Sequence, residues 1–211
     1  MSARKAAAPT LNCIHMGSPL IVLASTSSYR RTLLQRLRLP FEVAAPEVDE
    51  TVLSSETARE TALRLAREKA LSVAKRRAGA IVIGSDQTLD LNGATLGKPV
   101  THEAALEQLR ALQGQTAIFH SAIALVAPTR ASVQVDSVTT TVTFRTRSST
   151  QLEAYLRADL PYDCAGSAKI ESLGIALIQR VQSDDPTALI GLPLIMLTSM
   201  LAVAGVDVLD S

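Results

Sequence analysis

Short uncharged apolar runs alternate along the chain with stretches whose apolar residues recur every three or four positions. That alternation predicts strands interleaved with helices. Leu20 to Ala24 is a brief apolar run that stops at hydroxyl residues, as a buried strand does, and Leu33, Leu34 and Leu37 then share one helical face. Pro40 closes this helix, and Phe41 to Ala45 reads as a second short strand. Over 56–77, Leu63, Ala66, Ala70 and Val73 fall at helical spacing, with basic residues gathered at the end. Ala80 to Ser85 is a third strand, which places Asp86 and Gln87 at its carboxyl end. Asn92-Gly93 predicts a hairpin, Gly97-Lys98-Pro99 a loop, and 101–112 a helix.

The second half changes character. Residues 116–127 and 133–147 predict a long antiparallel hairpin turning at 128–131, with Val138, Thr140, Val142 and Phe144 on one face. A helix over 149–158 ends before Pro161, a small-residue loop runs from Cys164 to Glu171, and Ile175 to Val181 reads as the last strand. Residues 187–206 carry no charge, which is long enough to raise a membrane span. Pro193 suits only a helix's first turn, so about a dozen residues remain before Gly205. The expectation is a buried core helix and no membrane partner.

With 211 residues, 47% of them apolar and 19% charged, the chain suits one globular domain over 20–211. Residues 1–19 have no periodic apolar face and read as a disordered extension or a mis-assigned start, with Met16 as a candidate first residue. A net charge of +1 argues against a generally basic nucleic-acid binder. Cys13 and Cys164, and the three histidines, show no metal-ligand spacing. This cysteine usage fits a reducing, cytoplasmic setting, and a homodimer is compatible with the composition.

Candidate chemistry begins where the first strand meets the first helix. Ser25-Thr26-Ser27-Ser28 collects hydroxyls and backbone N–H groups at a helix start, with Ser27 or Ser28 as N-cap, and Arg30 and Arg31 add charge. Phosphate suits such a site, although a capped helix with two solvated arginines fits the same pattern. Lys69 borders an apolar helical stripe, a place where most lysines are merely solvated. Asp86 at a strand end is either a ligand-facing acid or a turn former. Together these supply the cations and carboxylates that triphosphate hydrolysis requires, and a phosphatase or kinase would need the same inventory. No Walker loop or kinase signature set is present.

The stretch Ser25-Thr26-Ser27-Ser28-Tyr29-Arg30-Arg31 resembles the signature loop of the Maf family of nucleotide pyrophosphatases, with Ser28 in place of the usual proline. Val48-Asp49-Glu50, Arg67-Glu68-Lys69-Ala70, Gly84-Ser85-Asp86, Gly97-Lys98-Pro99, Ala165-Gly166-Ser167 and Gly191-Leu192-Pro193-Leu194 extend the resemblance in order along the chain. The resemblance implies a mixed twisted α/β sheet with flanking helices and a central cleft, similar to inosine triphosphate pyrophosphatases. It also implies cleavage between the α- and β-phosphates with Mg²⁺ or Mn²⁺ as cofactor. Asp86 would be the proton acceptor. Ser25, Ser27, Arg30, Lys69 and Lys98 would bind phosphate, and Glu50 with Asp86 would hold the metal.

Three further positions bear on the base. Tyr29 offers an aromatic face, Gln87 an amide that can donate to the base oxygen, and Glu171 a carboxylate that can accept the base N–H groups, which together suit a cationic 7-methylguanine. The 7-methyl-GTP pyrophosphatase branch of the family has the same combination, whereas the dTTP/UTP branch carries Arg, Thr and Gln at the positions of Tyr29, Gln87 and Glu171. Helix-start packing for Tyr29 and a solvated loop acid for Glu171 are the plain alternatives. A different class of function, a nucleic-acid-binding or division-regulating protein, would use the Arg30/Arg31 helix as a basic surface.

Overall fold

The computed structural model describes residues 19–128, 130 and 133–210. The expected extension over 1–19 lies outside them except for Pro19, as does part of the turn at 128–131. Strand β1 (Ile21–Ala24) is buried at every position and runs parallel to β2 (Phe41–Ala44) on one side and β3 (Ile81–Leu91) on the other. Beyond β3 the pairing turns antiparallel through β5 (Thr116–Val126), β6 (Gln134–Phe144) and β7 (Ile178–Ser183). The result is a seven-stranded mixed sheet in the order β2-β1-β3-β5-β6-β7, with β4 (Ala94–Leu96) paired to the far end of β3.

Five helices flank it: α1 (Ser28–Gln35), α2 (Ala58–Ala74), α3 (His102–Leu112), α4 (Ser149–Asp159) and α5 (Leu194–Val203). Helix α2 starts from a capping box in which Thr57 and Glu60 satisfy each other's backbone N–H groups. Its alanines Ala62, Ala66 and Ala70 are fully buried against Val22, Ala24, Val82, Ala122 and Ala124 of the sheet. Small residues on both surfaces let helix and sheet approach closely. At Gly84 the approach is so tight that a Cβ would lie 2.2 Å from the Ala66 carbonyl oxygen. Helices α1 and α5 cover the opposite face around Leu23, Leu34, Ile83 and Leu197.

Three expectations change. Strand β3 does not stop at Ser85, because β5 remains its partner as far as Asp90↔Ile118. Asp86 and Gln87 therefore sit mid-strand. What ends there is β1, whose last pair is Ala24↔Gly84, and β4 joins only at Leu89. Among the described residues, 85–88 of β3 thus have no strand neighbour on that edge, and the gap is the floor of the cleft. The last strand begins at Ile178, since 173–177 forms a short 3₁₀ turn. Helix α5 buries Leu194, Leu197, Met200 and Leu201 but exposes Ile195 and Val203, so it covers the core with one face rather than lying wholly inside it. Among the described residues no helix is long and apolar enough to cross a membrane.

Candidate active site

The serine-rich turn forms at the edge where β1 ends. Ser25 is buried and its Oγ accepts the Ser27 N–H at 3.2 Å, which curls the chain back on itself. Ser27 is the N-cap of α1, accepting the Arg30 N–H at 3.4 Å. Of the two serines that the sequence admits as caps, Ser28 is instead the first helical residue. Arg30 folds across this turn and donates from Nε to the Gly191 carbonyl at 3.0 Å. Burial pulls its guanidinium below the ordinary value, and the Asp86 and Glu50 carboxylates act in the opposite sense.

The close seat of α2 on Gly84 sets the second part of the site. Lys69 lies between Ala66 and Ala70, the two residues that meet Gly84, and so projects directly over the next inward-facing residue of β3, Asp86. Only 4% of Lys69 and 7% of Asp86 are exposed, and Nζ donates to Asp86 Oδ1 at 2.7 Å. Glu50 comes from the acidic loop to place Oε1 2.9 Å from the same ammonium. Desolvation opposes ionisation of Glu50, but the hydrogen bond and charge of Lys69, with Lys98 and Arg30 beyond, outweigh it and hold its carboxyl below the usual range. Lys69 is a buried ion-pair partner rather than a solvated stripe edge.

These groups line one cleft with two lobes of about 260 and 250 Å³ that share Ser27, Tyr29, Arg30, Glu50, Lys69, Lys98 and Asp163. Ser25 and the serine turn border one lobe. Asp86, Gln87 and Thr88 form the floor of the other, beneath Val52, Leu96 and Cys164. The lobe at the serine turn is lined by hydroxyl and charged groups, and the other adds apolar side chains beside the shared cations.

Side chains alternate along β3, so Ser85 and Gln87 point away from α2, toward residues 188–191. The Gln87 amide NH₂ donates to Ser121 Oγ at 2.8 Å and to the Ala188 and Leu189 carbonyls at 3.1 Å. Its hydrogens are committed inside the protein, so the group left for a ligand is the acceptor Oε1. Sequence reasoning gave this amide the donor's part, and the structure gives it the acceptor's.

Tyr29 borders both lobes, and its hydroxyl donates to Asp163 Oδ1 at 3.3 Å. Lys169 Nζ stands 5.8 Å from the Tyr29 ring centroid and 3.5 Å from Asp163 Oδ1. Glu171 is not brought to the cleft: it is exposed and lines neither lobe, although its partly desolvated carboxyl is pushed up. Asp163, Cys164 and the Gly191 carbonyl are the groups that sequence reasoning missed. Asp163 and Cys164 follow Pro161 in a loop with no periodic signal, whereas Gly191 lay inside a motif whose backbone role could not be seen. Burial pushes the Cys164 thiol up to about 12, so it stays protonated and is no nucleophile.

The sequence model described as Maf-like protein matches residues 20–204. This chain belongs to the Maf family. Maf relatives align over nearly their whole length. The 7-methyl-GTP pyrophosphatase of Thiobacillus denitrificans is 58% identical over 91% of this chain and 96% of its own. That of Cupriavidus metallidurans is 56% identical over 89% and 94%, and that of Burkholderia thailandensis 56% identical over 92% and 91%. Among solved structures, a Staphylococcus aureus Ham1 protein overlaps 59% of this chain and 71% of its own at 22% identity, with a TM-score of 0.43, a likeness too loose to bear an argument.

The Maf motifs therefore converge in space. Ser25, Ser27, Arg30, Glu50, Lys69, Asp86 and Lys98 all face the same cleft. Among the described residues no three His, Cys, Asp or Glu side chains are grouped as a metal cage. Glu50 Oε1 and Asp86 Oδ1 nevertheless converge on one point, the Lys69 ammonium. Mg²⁺ is commonly held by one or two carboxylates with phosphate oxygens and water completing the shell, and the carboxylate oxygens of Glu50 and Asp86 that Lys69 does not engage are the donors of that kind here.

Proposed function

We propose that the chain is a nucleotide pyrophosphatase that hydrolyses 7-methyl-GTP to 7-methyl-GMP and diphosphate. The observation that carries the reading is the placement of a buried carboxylate, Asp86, within one cleft that also presents Arg30, Lys98 and the serine turn. The high identity to full-length 7-methyl-GTP pyrophosphatases supports the choice of nucleotide.

The triphosphate binds against the Ser25–Ser27 turn, where backbone N–H groups, the start of α1 and the Arg30 and Lys98 cations offset its charge. Asp86 accepts a proton from water, whose oxygen forms a bond to the α-phosphorus. The bond from that phosphorus to the oxygen bridging to the β-phosphate breaks, and diphosphate leaves carrying the electron pair. Lys69 keeps Asp86 oriented for this step. Mg²⁺ or Mn²⁺ held by Glu50 and Asp86 would supply Lewis-acid stabilisation of the phosphoryl oxygens.

The base occupies the lobe floored by Gln87 and Thr88, beside Tyr29. A cationic 7-methylguanine gains from that aromatic face and from a nearby negative charge. Glu171 stands outside the cleft, and Asp163 takes the part of counter-charge. Gln87 Oε1 accepts from a ring N–H, which guanine offers. Hydrolysis in ¹⁸O-labelled water tests the chemistry: the label should appear in 7-methyl-GMP alone. Label in the diphosphate would mean attack at the β-phosphorus and overturn the mechanism.

A further inference from the structure

Asp185 is 2% exposed and lines neither lobe of the cleft. Its Oδ1 accepts the Thr187 N–H at 2.9 Å and the Thr187 hydroxyl at 2.7 Å, and its Oδ2 accepts the Ile195 N–H at 2.7 Å. Thr187 Oγ1 in turn accepts the Leu194 N–H at 2.8 Å. Pro193, the residue before α5, brings no side-chain cap, so Asp185 and Thr187 supply the acceptors for that helix's first free N–H groups.

Both ends of the short segment 188–191 are thereby pinned, and that segment presents three carbonyls to the site. Ala188 and Leu189 hold the Gln87 amide, while Gly191 accepts from Arg30 Nε and, at 3.0 Å, from Ser85 Oγ. Gly191 has φ +119°, and a Cβ there would sit 3.6 Å from Arg30 Nε, so the carbonyl is aimed by a backbone turn that favours glycine.

We propose that Asp185, acting through Thr187, is a positioning residue that aims the 188–191 carbonyls and through them sets the Gln87 acceptor and the Arg30 cation. This rests on the nucleotide reading above. Asp86, Lys69 and Glu50 are held by β3, α2 and the acidic loop, outside this network. Disturbing it separates binding and base choice from the chemical step.

The test compares Asp185→Asn, Thr187→Val and Thr187→Ser with the wild type by steady-state kinetics, well below each protein's Tm, on 7-methyl-GTP and UTP. Asp185→Asn replaces one acceptor by a donor facing buried N–H groups, and Thr187→Val removes the hydroxyl while keeping the shape. Both should lower kcat/KM by roughly 10–100-fold, as small misplacements remote from the chemistry do. The loss should fall mainly on KM, with a weakened preference for 7-methyl-GTP over UTP. Thr187→Ser should restore the wild-type values. A lower Tm in Thr187→Val with KM and preference unchanged would make the network a helix cap alone and overturn the proposal. If the wild type fails to hydrolyse 7-methyl-GTP, the substrate reading falls. The KM comparison on whichever nucleotide the wild type does hydrolyse then still decides the role of Asp185.

Discussion

Asp86→Asn removes one negative charge and leaves the shape of the residue intact. In the wild type its carboxylate receives the Lys69 ammonium at 2.7 Å with both side chains almost wholly buried. Breaking such a pair outright costs about 3–5 kcal/mol, because it strands a buried charge. Here the cost should be smaller, about 1–3 kcal/mol, since the asparagine carbonyl still accepts from Nζ and Glu50 stays 2.9 Å away. Loss of a general base lowers turnover by ~10²–10⁴-fold, equivalent to about 3–5 kcal/mol of barrier. Binding should hold or tighten, because one carboxylate fewer faces the triphosphate. The assay pairs diphosphate release with circular dichroism and a direct measurement of nucleotide Kd. A folded variant that binds but turns over at least a hundredfold slower is expected. Turnover near the wild-type rate in the folded variant would refute the proton-acceptor role.

Gly84→Ala forces a Cβ toward the Ala66 carbonyl and so lifts α2 from the sheet. Overpacking of this kind costs about 1–3 kcal/mol, and because Lys69 rides on α2, kcat should fall as well, read by Tm and diphosphate release together. Asp163→Asn and Tyr29→Ala should both reduce kcat/KM for 7-methyl-GTP more than for GTP, Tyr29→Ala by loss of a stacking surface worth ~1–3 kcal/mol. Glu171→Gln should leave that ratio nearly unchanged, and a larger effect from Glu171 than from Asp163 would return the counter-charge to the outer loop. Glu50 has its carboxyl held below the ordinary range in the folded chain. Its contribution to stability is therefore present above the unfolded glutamate pKa and lost as pH falls through the lowered one. The Tm difference between wild type and Glu50→Gln should accordingly shrink between about pH 5 and pH 3, and a difference that grows on acidification would contradict it.

Apolar periodicity located nearly every element, because burial against one sheet leaves a strong pattern. It could not see where pairing partners begin and end. The apolar run at 80–85 stops where β1 stops, yet β3 continues through polar residues to Leu91 because β5 still accompanies it. The Ser/Arg loop and Asp86 were legible through motif, although Asp86 lies mid-strand and not at a strand end. Lys69 was legible only through resemblance, since a lysine beside an alanine stripe looks solvated until Gly84 draws the helix down. The Gln87 amide was misjudged in direction because its partners are the backbone carbonyls of Ala188 and Leu189, a hundred residues away and without side-chain signature. Asp163 and Glu171 share one loop, and which of them faces inward is decided by the path of the chain around residues 161–175, where no repeating pattern operates.

A cleft whose serine turn and cations take a triphosphate, and whose Tyr29 and Asp163 favour a positively charged guanine, should discriminate among nucleotides. The most direct test is diphosphate release by the wild-type protein on 7-methyl-GTP, GTP, dTTP and UTP, each with Mg²⁺ and with Mn²⁺. The account predicts the highest kcat/KM for 7-methyl-GTP, lower values for GTP and the lowest for the pyrimidine nucleotides. A preference for dTTP or UTP would contradict it.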